Sequence, residues 1–232
     1  MSGTLFIIAT PIGNLKDITL RALEVLGQVD LIACEDTRRT RILTQHYKIA
    51  KPLLSYYEYN KLKRTDTILE ALGQGKNVAL VSDAGTPSIS DPGCSLVQKV
   101  LEAGYLVECI PGVTALIAAL VLSGLPTHRF TFEGFLPIKD GARRRALERL
   151  AGEERTILFY ESCHRLLKML HAVHEVLGNR RVAVAREITK KFQEIRRETV
   201  SEAIDHFTAT PPQGEFVVVL EPTKGGSHER EP

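Results

Sequence analysis

Two carboxylates, two glycines and four hydroxyls share one short segment, Ser82-Asp83-Ala84-Gly85-Thr86-Pro87-Ser88-Ile89-Ser90-Asp91-Pro92-Gly93. The apolar run from Asn77 to Val81 leads into it, and Leu96, Val97, Val100 and Leu101 recur at helical spacing behind it. That pattern predicts a turn at the carboxyl end of a buried strand, closed by a helix with Asp91 as N-cap and Pro92 at its first position. Open α/β sheets bind ligands beyond the carboxyl ends of their strands. Asp83 offers charge there, and Gly85 lets a ligand approach the backbone. A plain connecting turn would account for the glycines and prolines, but not for so many polar groups.

Two further segments bring acids and bases together. Glu35-Asp36-Thr37-Arg38-Arg39 follows the apolar run from Val29 to Cys34, and reads either as a site or as a helix start with acids at its favoured end. Phe159-Tyr160-Glu161-Ser162-Cys163-His164-Arg165 ends another apolar strand. Ser162 as a cap explains the acid, whereas His164 and Arg165 sit where a helix disfavours cations, which points to acid–base work or substrate orientation. Cations also gather in the second half: Lys139, Arg143, Arg144, Arg145, Lys190, Lys191, Arg196 and Arg197. On one face they would hold an RNA backbone, although three consecutive arginines point around a helix and at most two can follow one phosphate track.

Several chemistries are excluded by pattern. The chain has no G-x-G-x-x-G after its first strand, no G-x-x-x-x-G-K-[ST] and no G-x-S-x-G elbow. The four cysteines form no C-x-x-C pair, and His171 and His174 lie on a helix face beside Leu167 and Leu170, so no metal is expected.

The elements that must position these residues alternate. Over the first half, strand and helix repeat five times, from Thr4–Ala9 to Leu106–Ile110 and the apolar helix ending at Gly124, which predicts a mainly parallel sheet. Its strand ends (Thr10 to Asn14, Glu35 to Thr37, Glu58 to Asn60, Asp83 to Pro87, Pro111 to Thr114) must then line one edge and build one cleft. After Leu125-Pro126-Thr127 the strands alternate more, predicting a smaller mixed-sheet α/β domain. The expected division is 1–123 and 124–223, with 224–232 as a flexible polar tail. With 44% hydrophobic and 25% charged residues and a formal charge of +2, the chain reads as a soluble α/β protein. No signal peptide and no apolar run of membrane-spanning length are apparent, so a cytoplasmic location is expected.

The segments Ala9-Thr10-Pro11-Ile12-Gly13-Asn14-Leu15, Glu35-Asp36-Thr37-Arg38, Ser82 to Pro87, Ser90-Asp91-Pro92-Gly93, Glu133-Gly134-Phe135-Leu136-Pro137, and Tyr160-Glu161-Ser162 with His164-Arg165 occur in this order. Together they resemble the ribosomal RNA methyltransferases of the tetrapyrrole methylase superfamily, over nearly the whole chain. The resemblance implies a two-domain tetrapyrrole-methylase-like fold, a homodimer and S-adenosylmethionine as cofactor. It further implies 2′-O-methylation of a cytidine in the decoding region of small-subunit (16S) ribosomal RNA, as free RNA or in the assembled subunit. It places Pro11, Ile12, Gly13, Asp83, Gly85, Thr86, Pro87, Thr114 and Ala115 at the donor, with Tyr160 and Ala185 from the second domain. Tyr57, Cys163, Gln193 and Arg197-Glu198 depart from the family pattern, Tyr57 removing a histidine that could act as base.

Methyl transfer to a ribose hydroxyl needs alignment, worth up to about 7–11 kcal/mol, and a base for a poor nucleophile. Glu161 is the first candidate base, with Glu35 or Asp36 second. Arg38, Arg39, Lys139, Arg143, Arg144, Arg145, His164, Arg165, Lys190 and Lys191 are the candidate RNA contacts. Two rivals remain distinguishable: a tetrapyrrole or small-molecule methyltransferase would not bind ribosomal subunits, and a non-catalytic RNA-binding factor would not bind the donor.

Overall fold

A computed structural model describes residues 2–91 and 93–223 of the chain. These divide into two compact units, one ending at Thr114 and the other beginning at Ala115. Residues 224–232, expected as a tail, and Pro92, expected to open a helix, lie outside the described residues.

The first unit is a five-stranded, all-parallel sheet in the order β3-β2-β4-β1-β5. Its strands are β1 (Thr4–Ile8), β2 (Leu31–Cys34), β3 (Leu53–Ser55), β4 (Val78–Val81) and β5 (Leu106–Ile110). The helices between them are α1 (Leu20–Gln28), α2 (Thr37–His46), α3 (Lys61–Gly73) and α4 (Cys94–Glu102). Strand alternation divides the core. Leu5, Ile7 and Leu80 pack with Ile68 and Leu72 of α3 and with Leu96 and Val100 of α4. Ile8, Ile32 and Val81 pack with Ala22 and Leu26 of α1 on the other face. Leu20, Leu23 and Leu26 are spaced as one helical face by the sequence, but Leu20 is 80% exposed. Six residues carry a helix through about 600°, which leaves Leu20 well away from the stripe that Leu26 defines. α4 begins at Cys94 with Gly93 as N-cap and no side-chain cap, so Asp91 does not cap it as expected.

α2 ends unusually. Lys48 N–H donates to Gln45 O (3.1 Å) and Ile49 N–H to Thr44 O (2.8 Å), the paired bonds of a Schellman turn. The left-handed position belongs to Lys48 (φ 56°), where glycine is usual.

The second unit holds α5 (Ala115–Ser123), β6 (Phe130–Phe135), α6 (Asp140–Glu148), β7 (Thr156–Ser162), α7 (Leu166–Leu177), β8 (Arg181–Arg186), β9 (Glu194–Thr199), α8 (Val200–Ala209) and β10 (Glu215–Leu220). Its five-stranded mixed sheet runs β6-β7-β10-β8-β9, with only the β6–β7 pair parallel. Ile157, Phe159, Val182, Val184, Phe216 and Val218 face α6, α7 and α8. α5 packs on the same sheet, against β10, β8, β7 and β9. Arg197 on β9 ties down its end, donating from Nε (2.9 Å) and Nη2 (2.6 Å) to Leu122 O.

Two expectations are corrected here. The division falls before α5 rather than after residue 123, because that apolar helix covers the second sheet. α8, absent from the sequence reading, follows β9 directly and opens on a capping box between Thr199 and Glu202. Among the described residues no helix is long and apolar enough to cross a membrane.

Replacing Lys48 by glycine should relieve the left-handed backbone and stabilise the protein by about 0.5–1 kcal/mol in chemical denaturation. A loss of stability would show that the lysine side chain, rather than the turn, governs this position.

Candidate functional site

All strands of the first sheet run the same way, so their carboxyl ends emerge on one edge. Three of the tip segments are sewn together there. Thr10, beyond β1, and Gly85, beyond β4, exchange backbone hydrogen bonds in both directions, each 2.9 Å. Thr10 Oγ1 donates to Ser82 O (3.2 Å), which satisfies a hydroxyl that is otherwise buried. Thr86 Oγ1 donates to Val113 O beyond β5 (3.4 Å). Gly85 has φ +78°, and a Cβ there would meet Ile12 Cγ2 at 3.5 Å, Val113 O at 3.8 Å and Thr114 Cα at 3.9 Å. Ile12, Gly85, Thr86 and Thr114, which the family pattern places at the donor, therefore share one rim. Beside it lies a hollow of about 120 Å³ whose lining includes Thr10, Pro11, Arg39, Ser82 and Asp83.

The same loop carries further left-handed residues, Ser88 (φ 73°) and Ser90 (φ 63°). Non-glycine residues hold that conformation at an energetic cost, and such positions cluster at functional sites.

The acids along this edge differ in state. Asp36 caps α2 by accepting from Arg38 N–H (2.8 Å), and its side chain also pairs with Arg38. Those Arg38 bonds hold the Asp36 carboxyl down to about 2. Asp83 Oδ1 accepts from Asp36 N–H (3.0 Å), and its Oδ2 lies 3.5 Å from Arg39 Nε. Asp91 is pushed up to about 6, first by burial and then by the Asp83 charge, against a Ser82 hydrogen bond that lowers it. Glu35, just past β2, is raised as well, first by burial and then by Asp83 and Asp91. It has no ion pair among the described residues.

In the second unit Glu161, the first candidate base, is buried and paired. Its side chain is 1% exposed and lies 3.3 Å from Arg165 Nε. Its Oε1 accepts from Ser162 N–H (2.8 Å). Burial raises its proton affinity, and the nearby Arg165 and Arg143 charges oppose that. Tyr160 packs its ring edge-on against Phe132 and Phe135. Both Tyr160 and Ala185 pair with Val217, so they share one face of the sheet.

The candidate RNA contacts separate into two groups. Arg143 is buried on Asp140 Oδ1 (2.6 Å) and Ile138 O, and Arg165 points inward to Glu161 and Leu136 O. Arg144 bridges Asp140 and Glu175, while Lys190 is held by Glu187 and Glu215, 2.8 Å from each. Arg38 and Arg39 face Asp36 and Asp83. Lys139, Arg145, His164 and Lys191 are exposed without a carboxylate partner among the described residues. Thr10 and Ser82, which join the tips, were missed as site residues; their signal was a hydroxyl directly after each apolar run.

A parallel sheet with a glycine-lined rim beyond its strand tips, followed by a mixed-sheet domain, defines a tetrapyrrole methylase. Residues 4–204 match the family model for Tetrapyrrole (Corrin/Porphyrin) Methylases, and the chain belongs to that family. It is 53% identical over 218 residues to the ribosomal RNA small subunit methyltransferase I of Thermotoga maritima, a match covering 94% of this chain and 98% of the relative. The protein of the same name from Haemophilus influenzae is 48% identical over 224 residues, covering 95% of this chain and 79% of the relative. The solved cobalt precorrin-4 methyltransferase shares the fold at 20% identity, with a TM-score of 0.72 over 94% of both chains.

Two outcomes check this electrostatic picture. A carboxyl whose proton affinity rises on folding loses stability as pH increases from its unfolded value towards its folded one. Wild type should therefore weaken between pH 4 and pH 6 relative to Asp91→Asn, by roughly 1 kcal/mol after solvent screening is allowed for; parallel stability curves would contradict it. Glu161→Gln should cost about 3 kcal/mol in denaturant unfolding, since it strands buried guanidinium charge. A surface-like loss below about 0.5 kcal/mol would contradict the buried role.

Proposed function

We propose that this protein is an S-adenosylmethionine-dependent methyltransferase of small-subunit ribosomal RNA. In its finer form the proposal is transfer to the 2′-oxygen of a cytidine in the decoding region. The observation that carries it is the single rim formed by Ile12, Gly85, Thr86 and Thr114 in a chain half identical to a ribosomal RNA small subunit methyltransferase. The residues suit the donor: Gly85 leaves the rim open, and the adjoining hollow has apolar wall from Pro11 and Leu15, with the Asp83 carboxylate and its neighbour Arg39 also on its lining.

Pro11, Ile12, Gly13, Asp83, Gly85, Thr86, Pro87 and Thr114 would hold S-adenosylmethionine, which when bound supplies a methyl group activated by a positive sulfur. For Ala115, Tyr160 and Ala185 the assignment rests on the resemblance of their segments. The chain's own contribution is alignment and exclusion of water, together with removal of one proton. Gly85 lets a ligand approach the backbone, and the Asp83 carboxylate accepts from Asp36 N–H (3.0 Å) with Arg39 Nε 3.5 Å away. Of the candidate bases Glu35 is the best placed. It stands at a strand tip, half-buried, with its proton affinity raised first by burial, whereas Asp36 is held strongly acidic by Arg38. Free cations at Lys139, Arg145, His164 and Lys191 are proposed to contact RNA phosphates.

The protein is further proposed to act as a homodimer in the cytoplasm. Exposed Ile117 and Val121 on α5 are apolar surface of the kind a second copy would cover.

The test is incubation with labelled donor and either undermethylated small subunits or their free RNA, followed by mapping of the label. A single 2′-O-methylated cytidine in the decoding region is expected; label on no RNA would overturn the reading. Glu35→Gln should lower kcat by about 10²-fold or more with donor affinity unchanged, and unchanged turnover would remove Glu35 from the role.

A further inference from the structure

α2 carries three arginines, and the structure assigns them differently. Arg38 folds back on Asp36, and Arg39 lies 3.5 Å from Asp83. Arg41 is exposed and meets no carboxylate among the described residues. It opens onto a groove of about 610 Å³ between α2 and the segment leading into β3. Half-buried Lys51 lines the same groove, again without a described ion pair. Ile49 and Leu53 provide apolar wall, Gln45 and Thr37 provide hydrogen-bonding groups, and no acid is among the lining residues.

Three features make this a site for a polyanion with flat apolar parts. Two cations left without carboxylates favour phosphate, and Arg41 has its whole guanidinium fork to offer. The volume is that of sites for ligands of nucleotide size. The wall is also rigidly placed: the Schellman turn, with Lys48 at φ 56° and the Ile49–Thr44 bond of 2.8 Å, turns the chain back alongside α2. The groove begins at Thr37, two residues from Glu35, so it adjoins the strand tip that carries the proposed base.

We propose that this groove binds a single-stranded segment of the RNA substrate flanking the modified nucleotide. Arg41 and Lys51 hold its phosphates, Gln45 meets a base edge, and Ile49 and Leu53 support a base face. The inference rests on the reading of the substrate as ribosomal RNA.

The test uses the full chain and a double variant, Arg41→Gln with Lys51→Gln. Binding of a fluorescein-labelled single-stranded RNA with the decoding-region sequence is followed by anisotropy over a range of salt. Donor affinity is measured separately by calorimetry. The variant should bind RNA about tenfold or more weakly, with a slope of log K against log salt shallower by about 1.4, the share of two phosphate contacts on a single strand. Its donor affinity should match wild type. Equal RNA affinity and equal slope would overturn the groove while leaving the methyltransferase reading intact. Weaker binding at an unchanged slope would overturn it too, by removing the phosphate contacts. Wild type that binds donor but no RNA would overturn both the groove and the choice of substrate. Displacement of the RNA by millimolar inorganic phosphate would make it a free-anion site and overturn the proposal.

Discussion

The reciprocal hydrogen bonds between Thr10 and Gly85 are the constraint on which the rest of the site depends. Parallel strands deliver their tips to one edge, but the loops beyond them are free to splay. Two backbone bonds of 2.9 Å join the loop after β1 to the loop after β4, and Thr86 extends the join to Val113 after β5. Glycine suits this crossing because φ at residue 85 is +78°, in the region that side-chain-bearing residues avoid. With the tips fixed, Ile12, Gly85 and Thr114 become neighbours, although sequence separates them widely.

Charge on this edge follows from that geometry. Burial first, and then the crowding of Asp83, Asp91 and Glu35 at the ends of β2 and β4, raises the proton affinity of Asp91 and Glu35. Asp36 is held strongly acidic by its Arg38 bonds, and Asp83 accepts from Asp36 N–H beside Arg39. The edge therefore gathers several carboxylates in different states, Asp36 held low and Glu35 raised. Arg41 and Lys51 have no such carboxylate partners among the described residues.

Much of the fold was legible in the sequence, and the reason is physical. β4 matches its expected span because a strand buried on both faces is a continuous apolar run between polar tips, and β5 matches its own although it is a largely exposed edge strand carrying Glu108. The convergence of the tips followed from strand order alone. α5 was assigned to the wrong unit because it is apolar on all sides, which leaves no stripe to say which sheet it covers. α8 was missed because β9 runs straight into its cap, although Thr199 and Glu202 at three-residue spacing were a readable signal. The enclosure of Glu161 was not legible: its burial and its 3.3 Å approach to Arg165 are matters of packing rather than spacing. The same holds for Arg38 and Arg41: composition makes them alike, and only the position of Asp36 separates them.

The most direct measurement of the central claim is an amide chemical-shift titration of the labelled protein with S-adenosylmethionine. The account predicts that the largest changes fall on Ile12, Gly13, Gly85, Thr86 and Thr114 together. Donor binding that leaves these amides unmoved, or no donor binding at all, would contradict it.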